Sequence, residues 1–226
     1  MTRLIQPEIE KVKNRTGEIG TLIEENLQRA IKSLLTRDAD LAREVVRFDK
    51  QEIDRLEIAL EEQCLRIMAL HHPVAGDLRF LVTVLKVNGD LERIGDLVAK
   101  IADKVLQIDA LKIDQLRANG LMLPEMLEAM YEKTLIMLRW TMEAFLNGDV
   151  DTAYKVCVTD DAVDTDKRAI REELEEIIVG NPAQHVYLAK LLGVARSLER
   201  IADHCTNICE DVIYMAQGEI VRHQPL

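Results

Sequence analysis

Two segments of the chain repeat the same apolar spacing, and this repeat limits the possible fold more than any other feature. In each segment apolar residues follow at steps of three and four without a break, as along one buried stripe of an α-helix. The first stripe contains Val84, Val87, Leu91, Ile94, Val98, Ile101, Val105 and Ile108. The second lies 107 residues further on and contains Leu191, Val194, Leu198, Ile201, Cys205, Ile208, Val212 and Met215. The sequence therefore predicts a duplicated helical unit.

Each half of the chain predicts three helices separated by short turns. In the first half the helices run over about 7–35, 38–70 and 74–108, with Asp38 as an N-cap. In the second half they run over about 126–145 and 149–179, and the third, after the stop at 180–182, continues to about 218. Because short turns make neighbouring helices antiparallel, we expect an all-α fold of two pseudo-symmetric, up-down-up three-helix bundles. The predicted division is a first bundle at 1–109, a connector at 110–123 and a second bundle at 124–226.

Composition and charge exclude several classes of protein. The chain has 29 basic and 40 acidic residues and a net charge of −11, which argues against nucleic acid as a partner. It begins with no apolar stretch of signal-peptide length, and no run approaches the roughly 20 apolar residues of a membrane span. Of the four cysteines, Cys64 and Cys205 fall on apolar stripes and are predicted core residues. We expect a cytoplasmic protein without direct membrane insertion.

Pairs of carboxylates one helical turn apart are the main candidates for chemistry. Three pairs matter here, namely Glu92/Asp96, Asp160/Asp164 and Glu199/Asp203. A solvated helix face explains one isolated pair, but two of these pairs repeat beside the two apolar stripes. An antiparallel hairpin can also bring the 160/164 pair close to the 199/203 pair. Four acidic groups that meet at neutral pH need metal ions or raised pKa values, and all-oxygen clusters suit Mg, Mn, Ca or iron.

The corresponding part of the first half leaves two alternatives open. Counting back from Asp54 places Lys50 where the other half has Asp160. If one residue has been inserted, Asp49 fills that role instead. Asp49 and Asp54 are therefore provisional ligands, and a lysine in this cluster would make the two bundles bind metal unequally.

Motifs of common catalytic sites are missing from the sequence. No histidine has a glutamate three positions earlier, as a ferritin-like di-iron centre requires. There is no glycine-rich phosphate loop, no Gly-x-Ser-x-Gly and no His-Glu-x-x-His. We therefore expect a protein that is not an enzyme. The alternative is a metal-dependent hydrolase or oxygenase that uses the carboxylate clusters as its catalytic centre.

Three segments resemble the PhoU family, the phosphate-transport accessory and regulatory proteins of bacteria and archaea. They are Asp77-Leu78-Arg79, the segment 90–96 (DLERIGD) and the segment 195–208 (ARSLERIADHCTNI). The resemblance covers essentially the whole chain and implies two three-helix bundles. It also implies a negative regulator of phosphate-starvation responses, which links the ATPase of the phosphate ABC transporter to a sensor histidine kinase.

The same resemblance implies metal clusters, since some family members carry iron or other metals on Glu/Asp-x-x-x-Asp motifs. Carried over by position, the ligands are Glu92, Asp96, Asp160, Asp164, Glu199 and Asp203, with Asp49 and Asp54 provisionally. The metal is left open among iron, zinc, manganese and magnesium. Ala202 departs from the usual glycine beside Asp203. An exposed apolar flank on bundles of this length further predicts a homodimer.

Overall fold

The computed structural model describes residues 2–111, 125–180 and 184–218, and no β-strand occurs in these three ranges. The helices are α1 (Thr2–Thr36), α2 (Ala39–Phe48), a π-helical turn (Asp49–Ile53), α3 (Asp54–His71), α4 (Ala75–Ala110), α5 (Glu125–Asn147), α6 (Val150–Gly180) and α7 (His185–Gln217). The predicted all-α fold is therefore confirmed. Residues 112–123 of the predicted connector and residues 219–226 of the predicted second bundle lie outside the described ranges, so the division into 1–109, 110–123 and 124–226 stays a prediction.

The second helix of each half begins on an aspartate cap. The Oδ1 atom of Asp38 accepts a hydrogen bond from the backbone N–H of Leu41 at 2.9 Å. The Oδ1 atom of Asp149 accepts from the N–H groups of Asp151 and Thr152 at 3.0 and 3.2 Å. Each cap satisfies N–H groups that have no partner within the helix. Both helices therefore start in the same register relative to the preceding turn.

Contacts between helices confirm the up-down-up order in each bundle. In the first bundle, Arg29 of α1 pairs with Glu44 of α2 at 2.6 Å, and Arg15, nearer the start of α1, contacts Gln63 of α3. In the second bundle, Lys133 of α5 contacts Asp166 of α6 at 2.7 Å. The last helix of each half then runs back along the helix before it.

The two apolar stripes form the centre of the molecule. Every residue of both stripes is buried except Ile108 and Met215, the last of each, which are partly buried. Helix α4 packs against α7, and α1 packs against α5, so one continuous set of buried apolar side chains extends through both bundles. Cys64 and Cys205 belong to it, as predicted.

Two helix predictions need correction. Helix α1 begins at Thr2 and contains Pro7, whereas the sequence predicted a start at Pro7. Pro7 is the sixth residue of α1, so its missing N–H removes one intrahelical hydrogen bond, to the carbonyl of Arg3 in the first turn. The second helix of the first half runs from Ala39 to His71, close to the predicted bounds, but it contains a π-helical turn at Asp49–Ile53 that the sequence did not predict.

Candidate metal centres

The π-helical turn determines which residues of the first half face α4. Asp49 and Asp54 are five residues apart, whereas Asp160 and Asp164 are four apart, and a π turn accommodates one such extra residue. Asp49 lies eleven residues after its capping aspartate, as Asp160 does in the second half. Lys50 is exposed. Asp49 is therefore the counterpart of Asp160, and the first cluster consists of Asp49, Asp54, Glu92 and Asp96.

Asp49 is buried in an unusual environment for a carboxylate. It is 2% exposed, and its Oδ1 atom has no hydrogen-bond partner among the described residues. Burial raises the pKa of Asp49 to about 7, and the charges of Asp54, Asp96 and Glu92 contribute to the increase. Leaving a buried carboxylate oxygen unsatisfied is unfavourable. A cation bound between these carboxylates would remove that penalty.

The basic residues of the first cluster lie on its outer side. The Nε atom of Arg93 is 3.4 Å from Glu92 Oε2, and its Nη1 atom is 3.8 Å from Asp96 Oδ2. Lys100 lies 3.7 Å from the same Asp96 oxygen. These contacts stay within α4 because both basic side chains lie along the surface of their own helix. Exposed ion pairs of this kind contribute little to the stability of the fold.

The second cluster consists of Asp160, Asp164, Glu199 and Asp203. Burial raises the pKa of Asp160 to about 6, and the charges of Asp203 and Asp164 raise it further. Burial likewise raises the pKa of Asp203, together with the charges of Glu199 and Asp164. Carboxylates of α6 and α7 therefore lie close enough to repel one another.

Sequence reasoning missed Lys167, which belongs to the second cluster. Its Nζ atom donates a hydrogen bond to Glu199 Oε1. The spacing in the sequence could have indicated it, because Lys167 lies three residues after Asp164 and therefore shares its helix face.

A polar cleft of about 680 Å³ lies beside the first cluster, where the two bundles meet. The Nδ1 atom of His204 on α7 is 2.8 Å from Asp90 Oδ1 on α4 in this region. The cleft is lined by Glu57, Lys86, Gly89, Asp90, Glu92, Arg93 and His204. The cleft gives solvent a route to Glu92.

The donor sets of both clusters fit a hard cation. Apart from Lys167, their side chains are carboxylates, whose oxygens are the ligands preferred by Mg²⁺, Mn²⁺ and iron. The unpartnered Oδ1 atom of Asp49 supports such a use of the first cluster. Among the described residues, no three His, Cys, Asp or Glu side chains form a ready-made metal cage. Metal binding at the eight carboxylates therefore stays a prediction.

Comparisons with known proteins agree with the duplication. A family model described as the PhoU domain matches residues 16–105 and 127–212. The chain is 38% identical over 213 residues to PhoU homolog 1 of Thermotoga maritima, covering 94% of this chain and 88% of that protein. It is 33% identical to PhoU of Escherichia coli K12, covering 96% and 86%. The crystal structure of PhoU from Pseudomonas aeruginosa is similar with a TM-score of 0.85 and 31% identity, covering 95% of this chain and 100% of that one. The chain belongs to the PhoU family.

Proposed function

We propose that the protein is an accessory regulator of phosphate transport. The observation that carries this proposal is the nearly full-length similarity to proteins named phosphate-specific transport system accessory protein. In the finer form of the proposal, the protein links the ATPase of a phosphate ABC transporter to a sensor histidine kinase. It acts there as a negative regulator, which reduces both uptake and starvation signalling when phosphate is plentiful.

We further propose that the two carboxylate clusters bind metal ions. Each cluster combines acids from the second and third helices of its bundle, and each contains a carboxylate with a raised pKa. The metal would be iron, zinc, manganese or magnesium. In the first cluster it would be held by Asp49, Asp54, Glu92 and Asp96, where it would compensate the charge repulsion between α3 and α4.

The proposed role is non-enzymatic, and the names of the relatives as accessory proteins support it. The hydrolase or oxygenase alternative is tested on purified, metal-loaded protein, with phosphoesters as substrates and with an oxygen electrode. Turnover that disappears in Asp203→Ala would overturn the non-enzymatic role.

The proposed location is the cytoplasm, and the proposed assembly is a homodimer. None of the described helices has the length and hydrophobicity of a membrane span. Ile58 and Leu65 lie on one face of α3 and are 55% and 51% exposed, which supports an apolar contact between copies. Light scattering of the purified chain tests the dimer, with Leu65→Glu as the variant expected to be monomeric.

Deletion of the gene in its host tests the regulatory role. We expect phosphate uptake and starvation-gene expression to stay high in phosphate-rich medium, and the wild-type gene to restore repression. A tagged full-length protein should retrieve the transporter ATPase and the kinase from cells grown in phosphate excess. Unchanged uptake and unchanged signalling in the deletion strain would contradict the proposal.

A further inference from the structure

The two clusters differ one turn beyond their second aspartate. Glu57 lies three residues after Asp54, and Lys167 lies three residues after Asp164. Both side chains reach the third helix of their bundle. Glu57 accepts a hydrogen bond from Asn88 of α4, whereas Lys167 donates one to Glu199 of α7. Equivalent positions therefore hold opposite charges.

Glu57 is held towards α4 by a buried amide. The Nδ2 atom of Asn88 lies 3.2 Å from Glu57 Oε1 and 3.0 Å from the Glu57 carbonyl oxygen, and Asn88 is 2% exposed. Burial raises the pKa of Glu57, and the charges of Glu61, Glu92 and Asp54 raise it further. The Glu57 side chain also lines the same cleft as Glu92, an acid of the first cluster. The second half has Ala195 at the place of Asn88, so Lys167 lacks this amide.

The first cluster also contains a buried carboxylate oxygen that is not satisfied within the described ranges. Asp49 is 2% exposed and packs against Gly95 of α4, and its Oδ1 atom has no hydrogen-bond partner among the described residues. A divalent ion bound to this oxygen would satisfy it. No carboxylate of the second cluster is among the buried atoms left without a partner in the described ranges.

Lys167 already supplies the second cluster with a positive charge. The side chains of Lys167 and Glu199 are only 32% and 18% exposed, so solvent screens this pair weakly. In the first cluster the side chains of Arg93 and Lys100 are 61% and 56% exposed. A metal ion entering the second cluster must compete with the lysine for Glu199, whereas the bases of the first cluster leave Asp49 and Glu57 available.

We propose that the first cluster is the tighter site for a divalent cation, that Glu57 is a further ligand in it, and that Lys167 weakens binding in the second cluster. This inference rests on the metal-binding part of the proposed function. It predicts two classes of site with different affinities within one chain. Carboxylate number sets affinity in oxygen sites of this type.

Calorimetric titration of the metal-stripped, full-length chain with Mn²⁺ tests the inference. Asp49→Asn and Asp160→Asn identify which class belongs to which bundle. We expect Glu57→Gln to weaken the tighter class about tenfold or more, because glutamine keeps the bond from Asn88 but loses the charge. We expect Lys167→Met to strengthen the weaker class. Glu62→Gln is the matched control, an exposed acid on the same helix whose charge is not among those that act on Glu57, and should leave both classes unchanged.

Three results would overturn the inference. In the first, Asp49→Asn abolishes the tighter class but Glu57→Gln leaves its Mn²⁺ affinity unchanged. In the second, Lys167→Met leaves the Mn²⁺ affinity of the weaker class unchanged. In the third, the wild-type chain binds no Mn²⁺, which would overturn the proposed metal sites as well. Thermal melting without metal checks that every variant is folded.

Discussion

A Cβ atom on Gly95 would lie 2.7 Å from the Oδ1 atom of Asp49 and 3.2 Å from the Cγ2 atom of Ile53. The π-helical turn brings both side chains against α4, and only a residue without a side chain leaves room for them. The second half has no inserted residue and carries Ala202 at the equivalent place, fully buried. The glycine in one motif and the alanine in the other therefore follow from one extra residue on the neighbouring helix.

Gly95→Ala should lower the free energy of unfolding by about 1 to 2 kcal/mol, because the new methyl group displaces Asp49 and Ile53. Gly89→Ala is the matched control on the same helix, since a Cβ there meets nothing within 4 Å. The control variant should have a free energy of unfolding up to about 1 kcal/mol higher than the wild type, because alanine has a higher helix propensity than glycine. Urea unfolding in EDTA measures both values. A gain in both variants would show that α4 and the π turn have room for the methyl group.

Asp49→Asn should change how stability depends on pH in metal-free protein. Burial, together with nearby carboxylates, raises the pKa of Asp49 from 3.8 to about 7. The folded state therefore holds a proton that the unfolded chain releases. The stabilisation is fully present below about pH 4 and is lost as the pH rises through about 7.

The asparagine variant should accordingly unfold with a higher free energy than the wild type at pH 8, by a few kcal/mol at most, and the difference should be much smaller at pH 4.5. Urea unfolding at both pH values in EDTA measures the difference. Glu18→Gln alters an exposed acid of α1 and should follow the wild type at both. A wild type that is as stable as Asp49→Asn at pH 8 would contradict the raised pKa.

Lys133→Met should destabilise the second bundle. Lys133 Nζ donates to both carboxylate oxygens of Asp166 at 2.9 and 2.7 Å, and the Asp166 side chain is 5% exposed. Removing the lysine leaves a buried charge without that partner and should lower the free energy of unfolding by about 2 to 4 kcal/mol. The double variant Lys133→Met/Asp166→Leu should recover most of the loss. Lys11→Met removes an exposed pair with Glu8 and should have almost no effect in the same denaturation series.

Leu198→Asp should unfold the protein or reduce its stability by several kcal/mol, because Leu198 is fully buried and the new charge would have no partner. Asp203→Asn, five residues along the same helix, should leave the far-UV circular dichroism and the melting curve nearly unchanged. Asp203 as a whole residue is exposed, but its carboxyl group is partly buried, so burial together with the charges of Glu199 and Asp164 already disfavours its ionised form. Equal losses in the two variants would contradict the separation of core and cluster.

The apolar stripes could be predicted from sequence because helical spacing alone determines which side of a helix is buried. Leu91 and Leu198, at the centres of the two stripes, are both fully buried. The helix cap could also be predicted from the sequence, since Asp38 accepts a hydrogen bond from a backbone N–H group at the predicted place.

Other features depend on energies that periodicity does not contain. One extra residue in a helix can form a bulge, shift the register or shorten a turn, so the sequence left Lys50 and Asp49 as alternatives. The bond between His204 and Asp90 depends on how the two bundles pack together, which the pattern within one helix does not specify. Lys167 was missed for another reason, because the spacing of carboxylates carries no information on a base that shares their helix face.

The continuous core through α4 and α7 has a consequence for the evolution of the chain. Although its halves are copies, neither copy is a module that could be transplanted, since separating them would expose the apolar faces of both third helices to water. After the gene was duplicated, the halves could diverge in their chemistry, as Glu57 and Lys167 did, only while they continued to fit each other.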